Sequence, residues 1–147
     1  MIVPQEIYHP LYEDNEKFII LITGGRGSGK SFNASTFIER LTFEMTPVEK
    51  IVHQILYTRY TMVSAGMSII PEMMEKIDLD GTTKYFKTTK TDIVNKMTKS
   101  RIMFRGIKTS SGNQTAKLKS IQGITTFVCD EAEEWTSEDE FDKIMLS

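Results

Sequence analysis

The sequence contains few of the residues that mark disulfide-bonded or metal-binding proteins. Among 147 residues there are one cysteine, Cys129, and two histidines, His9 and His53. A single thiol cannot form an internal disulfide, and these three residues do not have the spacing of a metal-ligand cluster. The composition therefore excludes a disulfide scaffold and a zinc-type site built within this chain.

Long hydrophobic runs are also missing. No segment approaches the roughly 20 apolar residues that a membrane-spanning helix needs. The first ten residues lack the basic start and apolar middle of a secretion signal. We therefore expect a cytoplasmic protein with no membrane partner. With 39% hydrophobic and 26% charged residues, residues 1–147 have the composition of one globular domain.

Charge is distributed unevenly, although the net charge is only -2. Between residues 84 and 119, ten lysines and arginines stand against one acidic residue, Asp92, so this segment carries +9. Much of the balancing negative charge lies in residues 130–142. Clustered lysines and arginines suit the phosphate backbone of DNA. An ordinary solvated surface has the same composition, so both interpretations stay open.

Strand and helix patterns alternate along the chain, which predicts an α/β fold with a mostly parallel sheet, flanking helices and a β-hairpin. The apolar run at residues 17–23 predicts a strand buried on both faces, and residues 30–43 predict the helix that follows. Further strands are predicted at residues 53–58, 85–88, 92–95, 101–107 and 124–129.

Other segments connect these elements. Strands 92–95 and 101–107 are expected to form the hairpin, and the polar residues 108–114 predict an exposed loop. A helix from about residue 61 is expected to kink or to restart at Pro71 and to pack its methionines into the core. Ser137 is a candidate N-cap for a last helix.

A glycine-rich turn between the first predicted strand and helix matches the phosphate-binding loop. Its residues are Gly24, Gly25, Arg26, Gly27, Ser28, Gly29, Lys30 and Ser31. Glycine has no side chain, so the backbone N–H groups of the turn can surround the triphosphate of ATP. The helix that follows points its N-terminus at the negative charge of the phosphates. Lys30 would contact the outer phosphates and Ser31 would ligate Mg²⁺. A chance match to a flexible turn is the alternative, but the strand and helix on either side count against it.

An acidic motif follows the last predicted strand. Asp130 would hold Mg²⁺ through water, and Glu131 would orient and deprotonate the water that attacks the γ-phosphate. Adjacent carboxylates are also common on solvated surfaces, so this motif gains its meaning from the phosphate loop. Arg26 has two interpretations: it stabilises charge on the γ-phosphate, or it contacts a neighbouring subunit or solvent.

Four segments together resemble the ATPase domain of phage terminase large subunits. They are GGRGSGKS at residues 24–31, the strand ending in Thr58 and Arg59, SRIMFRG at residues 100–106, and KLKSIQGITTFVCDEAEEW at residues 117–135. The resemblance extends from residue 17 to the end of the chain. Its most specific parts are the arginine-containing loop and the DEAEEW segment.

The resemblance implies a P-loop NTPase fold of the additional-strand, catalytic-glutamate type and ATP-driven translocation of double-stranded DNA into a procapsid. It also implies a ring of copies, with portal protein and the small terminase subunit as partners. The roles it implies are phosphate contact for Lys30, Mg²⁺ contact for Ser31 and Asp130, catalysis for Glu131, and a γ-phosphate contact for Arg26. Adenine contacts in the family lie upstream of the loop, where Gln5 is the candidate.

The chain departs from the family pattern at its C-terminus, because terminase large subunits continue into a coupling motif, further strands and a nuclease domain. We therefore expect residues 1–147 to be the N-terminal part of the ATPase domain, with no nuclease function. In the family fold the strand after the acidic motif lies beside the phosphate-loop strand, so an incomplete sheet is expected. Two other functions stay open: a nucleotide-binding module with little turnover, and another P-loop motor of the helicase or recombinase type.

Overall fold

The computed structural model describes residues 1–13, 19–44, 52–61, 69–109, 112–113, 121–135 and 137–145. In these ranges the helices are α1 (His9–Glu13), α2 (Lys30–Leu41), α3 (Ile69–Asp80) and α4 (Glu138–Met145). The strands are β1 (Gln54–Thr61), β2 (Phe86–Thr88), β3 (Asp92–Asn95), β4 (Arg101–Thr109), β5 (Gly112–Asn113) and β6 (Thr126–Asp130). None of the helices in these ranges is long and apolar enough to cross a membrane.

The six described strands form one sheet in the order β2-β3-β4-β1-β6, with β5 pairing with β4. Its centre is parallel, because β1 pairs in parallel with β4 on one side and with β6 on the other. β2, β3 and β4 pair antiparallel. In the register of β1 and β6, Arg59 lies opposite Asp130, so the ends of two strands that are distant in sequence meet at one edge of the sheet.

The main core lies between the sheet and helices α2 and α3. Ile38 from α2 and Ile77 from α3 pack against Ile55, Ile102 and Phe104 of the central strands. A smaller core lies on the other face of the sheet, between the central strands and the segment around β6. Its buried residues are Leu56, Tyr60, Met103 and Ile107, and the residues packed against them are Ile121, Ile124, Phe127 and Trp135. The larger core fixes α2, and with it the glycine turn at its start, against the sheet.

Much of the predicted architecture is confirmed. The α/β class, the flanking helices and the β3–β4 hairpin are present, and α2 begins at Lys30 as the sequence predicts. α3 begins at Ile69, so Pro71 lies in its first turn, where a missing N–H costs nothing. Residues 62–68, which include two of the predicted core methionines, lie outside the described ranges.

The predicted strand at residues 17–23 is wrong for the residues that the structure describes. Residues 19–23 form no strand, and Ile19 and Leu21 are 72% and 81% exposed. An apolar sequence favours burial, but a buried strand also needs a neighbouring strand to satisfy its backbone groups. β6 is the last described strand on its side of the sheet, and no described strand lies beyond it to pair with this segment. Residues 17 and 18 lie outside the described ranges.

The predicted loop at residues 108–114 is wrong in part. β4 continues through Lys108 and Thr109, which pair antiparallel with Asn113 and Gly112 of β5. Serine, glycine and asparagine are as common in tight hairpin turns as in open loops, so the polar composition did not distinguish the two. Ser110, Ser111 and Gln114 lie outside the described ranges.

Candidate functional site

The glycine turn has a backbone that few other residues adopt. Gly27 and Gly29 have φ angles of 78° and 81°, in the left-handed region where glycine is favoured. Gly24 has a φ of 151°, and a Cβ on it would lie 2.9 Å from Ser28 Oγ. Gly29 accepts the N–H of Asn33 at 2.9 Å, which makes its carbonyl the first acceptor of α2. The turn therefore joins directly to the N-terminus of a twelve-residue helix.

Lys30, the first residue of α2, folds its side chain back over the turn. Its Nζ donates to the carbonyl oxygens of Gly24 and of Gly25, the latter at 3.2 Å. The ammonium group is thus held where the turn begins. Ser31 follows on the exposed side of the first helical turn, and Arg26 is exposed at the tip of the glycine turn. Within the described residues no ion pair involves Arg26.

The segment before the glycine turn lies beside it. The hydroxyl of Tyr8 donates to the carbonyl oxygen of Ser28 at 2.7 Å. Oε1 of Gln5 lies 3.7 Å from the position that a Cβ on Gly29 would take. Gln5, the candidate for adenine contact, is therefore next to the loop, and Tyr8 is a neighbour that no sequence motif indicates.

The acidic motif lies at the end of β6, where the register brings it to Arg59 of β1. Arg59 Nη2 and Nε lie 2.6 Å and 3.1 Å from Asp130 Oδ2. Its Nε is also 3.6 Å from Glu131 Oε2. One guanidinium thus contacts both carboxylates of the motif. Sequence reasoning placed Arg59 in a family-like segment but gave it no role, because strand register cannot be read from one strand alone.

Glu131 has an unusual backbone and an unusual carboxyl. Its φ is 52°, in the left-handed region that residues with a Cβ rarely adopt. Partial burial raises the pKa of its carboxyl above the ordinary value; Arg59 opposes this shift, whereas Glu134 and Asp130 add to it. A carboxylate with a raised pKa is a better proton acceptor than an ordinary one.

A small cavity of about 60 Å³ connects the two motifs. Its walls include Ser31 and Ser35 of α2, Tyr57 and Arg59 of β1, Asp130 of β6 and one side of α3. Such a volume holds a few water molecules. Burial, with a further contribution from the charge of Asp130, raises the pKa of Tyr57 above its ordinary value, so its hydroxyl stays neutral. The two candidate Mg²⁺ ligands, Ser31 and Asp130, thus lie on one cavity.

Comparison with protein families identifies the family of this chain. A family model described as phage terminase large subunit matches residues 16–147. The chain belongs to the phage terminase large subunit family. A comparison with curated proteins gave no match. Family membership supports a role in phage DNA packaging for this terminase chain.

Ser31 and Asp130 bring one hydroxyl oxygen and one carboxylate to the same cavity of the terminase site. Among the residues that the structure describes, no three or more histidine, cysteine, aspartate or glutamate side chains could together hold a metal ion. Magnesium usually keeps several waters and binds one or two protein oxygens together with substrate phosphates. Ser31 and Asp130 on one cavity fit that pattern.

Proposed function

We propose that this terminase chain is a P-loop NTPase that binds ATP with Mg²⁺ and hydrolyses it as part of a motor moving double-stranded DNA into a procapsid. One observation carries the proposal: Ser31 and Asp130, far apart in sequence, line the same cavity. Phosphate loops require this juxtaposition, because one metal ion must contact both the loop hydroxyl and the strand carboxylate.

The glycine turn binds the phosphates through its backbone N–H groups, and Lys30 adds a positive charge. In the structure that charge is held by two neutral carbonyl groups, and an anionic phosphate is a stronger partner for an ammonium group. Mg²⁺, held by Ser31 and Asp130, would neutralise charge on the β- and γ-phosphates. Arg26, exposed at the tip of the turn, contacts the γ-phosphate or a neighbouring subunit.

Glu131 is the residue that orients the attacking water and accepts its proton. Its raised pKa and left-handed backbone support this role, because strained backbones recur at functional positions. Arg59 holds Glu131 and Asp130 close together, where two carboxylates would otherwise repel each other. Gln5 lies beside the loop, which suits a contact with the adenine base.

The DNA-contacting surface is the part of the sheet around β2 and β3. Lysines that are exposed on these strands and their turns are Lys87, Lys90, Lys96 and Lys99. The register places Lys87, Val94 and Arg101 in one row. This row faces away from α2 and α3, because the neighbouring row of Ile93 and Ile102 belongs to the core beneath those helices. Lysines with no base-reading geometry suit binding to DNA phosphates without sequence preference.

The remaining partners follow from family membership alone. We propose a ring of copies that works with portal protein and the small terminase subunit. A second candidate function, a nucleotide-binding module with little turnover, is favoured by one observation: residues 19–23, which lead into the glycine turn, form no strand of the sheet. A glycine turn that is anchored by the helix after it, but not by a strand before it, binds phosphates with less precise geometry than a turn anchored by both elements.

Titration of the chain with ATP and Mg²⁺, together with an assay for released phosphate, tests the proposal. Lys30→Ala is expected to weaken ATP binding at least tenfold, since hydrogen bonds to charged groups contribute about 1.5–3 kcal/mol. Lys84→Ala is the matched control, because Lys84 lies over the ring of Tyr85 and outside the site. Binding without phosphate release would support the second candidate. Equal ATP affinity of the wild type and Lys30→Ala would rule out both.

A further inference from the structure

Residues 1–13, which we call the N-terminal arm, contact α2 at both of its ends. Ile2 lies near the C-terminal end, where it meets Arg40 of α2 and Asp80 of α3. Tyr8 reaches the glycine turn at the other end. Between these points Tyr12 donates to the carbonyl oxygen of Asn33 at 3.1 Å and packs edge-on against Phe37. The arm therefore connects the end of α2 to the turn at its start.

An ion pair binds the first residues of the arm. Arg40 and Asp80 form two hydrogen bonds, of 2.9 Å and 3.1 Å. The N–H of Ile2 donates to Asp80 Oδ1 at 2.7 Å, and the carbonyl oxygen of Ile2 accepts from Arg40 Nη2 at 2.5 Å. Both backbone groups of one arm residue are thus satisfied by a single ion pair, whose aspartate side chain is only 4% exposed.

A buried glutamate lies beside this ion pair. Glu39 is 0% exposed; its Oε1 accepts the hydroxyl of Thr82, while Oε2 has no hydrogen-bond partner among the residues that the structure describes. The charged groups around it are Asp80 of α3 and Arg40 of α2, with the Tyr12 hydroxyl of α1 nearby. Burial, helped by Asp80, raises the pKa of Glu39 to about 7. The hydrogen bonds that Asp80 accepts, from Arg40 above all, outweigh its own burial and lower its pKa to about 2.

At the other end of the arm, Tyr8 fixes one peptide group of the glycine turn. Its hydroxyl holds the carbonyl oxygen of Ser28 at 2.7 Å. In a trans peptide the C=O and the next N–H point in opposite directions. The hydrogen bond that turns the Ser28 carbonyl toward the arm therefore turns the N–H of Gly29 away from it. That N–H is one of the groups on which phosphate binding by the turn depends.

We propose that the N-terminal arm is a clamp on the phosphate loop: Tyr8 sets the orientation of the Ser28–Gly29 peptide, and the contact of Ile2 with Arg40 and Asp80 keeps the arm closed. Tyr8 and Arg40 are then positioning residues for the nucleotide, although Arg40 lies at the far end of α2. This inference rests on the proposed function, because it assumes that the glycine turn binds phosphates.

Two conservative variants test the clamp. Tyr8→Phe removes only a hydroxyl group, and Arg40→Lys keeps the charge but cannot reproduce a planar contact with both Asp80 and Ile2. Each is expected to raise the dissociation constant for ATP about threefold to tenfold, the usual effect of one hydrogen bond. Because both act through the same arm, the double variant is expected to lose little more than either single variant. Tyr85→Phe, outside the arm, is the matched control and is expected to match the wild type.

Hydrogen–deuterium exchange at the amides of residues 25–29, measured without nucleotide, provides an independent readout. Faster exchange in Tyr8→Phe and Arg40→Lys, but not in Tyr85→Phe, is expected from loss of the clamp. Unchanged exchange in both variants overturns the clamp, even if neither variant nor wild type binds ATP. If the wild type does not bind ATP, the proposed function is contradicted, and the clamp is not. Wild-type ATP affinity in both variants also overturns the clamp.

Discussion

At the residue scale, Arg59 explains how two carboxylates share the end of one strand. Its guanidinium lies 2.6 Å from Asp130 and 3.6 Å from Glu131. Neighbouring carboxylates disfavour each other's charge, and a cation between them offsets that repulsion. Arg59 opposes the rise in the pKa of Glu131, which burial causes first and which Glu134 and Asp130 increase, and it also contacts Asp130, the proposed metal ligand. The same arginine therefore serves both proposed roles.

Replacing Glu131 tests its assignment as the base. Glu131→Gln keeps the shape of the side chain but cannot accept a proton, so we expect phosphate release to fall by about 10²-fold or more while ATP affinity changes little. Binding titration and a phosphate-release assay on the same protein separate the two effects. Glu133→Gln, two residues away and exposed, is the control. Full turnover in Glu131→Gln removes Glu131 from the role.

At the scale of the elements, Glu39 of α2 gives the stability of the fold a dependence on pH. The pKa of Glu39 rises from its ordinary 4.5 to about 7 in the folded chain. Between these values the folded chain binds more protons than the unfolded chain, so the free energy of unfolding falls as pH rises. The loss reaches up to about 3 kcal/mol above pH 7, at roughly 1.4 kcal/mol for each unit of pKa shift.

Glu39→Gln is expected to remove this dependence, because glutamine stays neutral at every pH. Urea unfolding at pH 5 and pH 8 measures it: the variant is expected to be more stable than the wild type at pH 8 and to change less between the two conditions. Glu75→Gln, exposed on α3, is expected to follow the wild type. An equal change in stability between pH 5 and pH 8 in the wild type and in Glu39→Gln would show that Glu39 ionises normally.

Elements with strong local signals were predictable, and contacts between distant elements were not. The helix at Lys30 and the hairpin of β3 and β4 follow from glycine placement and from apolar patterning within short windows. Residues 17–23 have the strongest strand pattern, yet residues 19–23 pair with no other described strand, because pairing depends on what lies beside a segment. Arg59 and Tyr8 went unassigned for the same reason: each meets a partner that is brought near only by strand register or by the path of the arm.

The residues of the candidate site and its surroundings also divide into those that the sequence predicted and those that it did not. Phosphate-loop and acidic-motif residues were proposed from local chemistry, since glycines before a lysine and carboxylates after a strand are visible in the sequence. Their assignment to ATP and Mg²⁺ stays a prediction. The buried Glu39 and Asp80 and their partly exposed neighbour Arg40 gave no sequence signal, because charged residues on helices are usually solvated.

At the scale of the whole molecule, the exposed lysines Lys87, Lys90, Lys96 and Lys99 lie around β2 and β3 at one end of the sheet, whereas the acidic motif and the exposed Glu138 and Asp139 follow β6 at the other. Substituting Lys87 and Lys90 with glutamine is expected to weaken binding to duplexes of any sequence. The plot of log affinity against log salt should also become less steep, by about 0.9 for each DNA phosphate that the variant no longer neutralises. Fluorescence anisotropy across a salt series measures both. Lys143→Gln, on α4 and outside the basic segment, is the control, and an unchanged slope in the double variant would place the DNA elsewhere.

The outer edge of β6 and the exposed Ile19 and Leu21 bear on how the protein behaves in solution. β6 is the last strand on its side of the sheet among the described residues, and a strand edge offers backbone donors and acceptors to an extended chain. Exposed apolar side chains such as Ile19 and Leu21 also favour association. Copies of the chain therefore have a route to self-association that is unrelated to an ordered ring. Affinities and unfolding midpoints measured at several protein concentrations would separate aggregation from properties of the individual molecule.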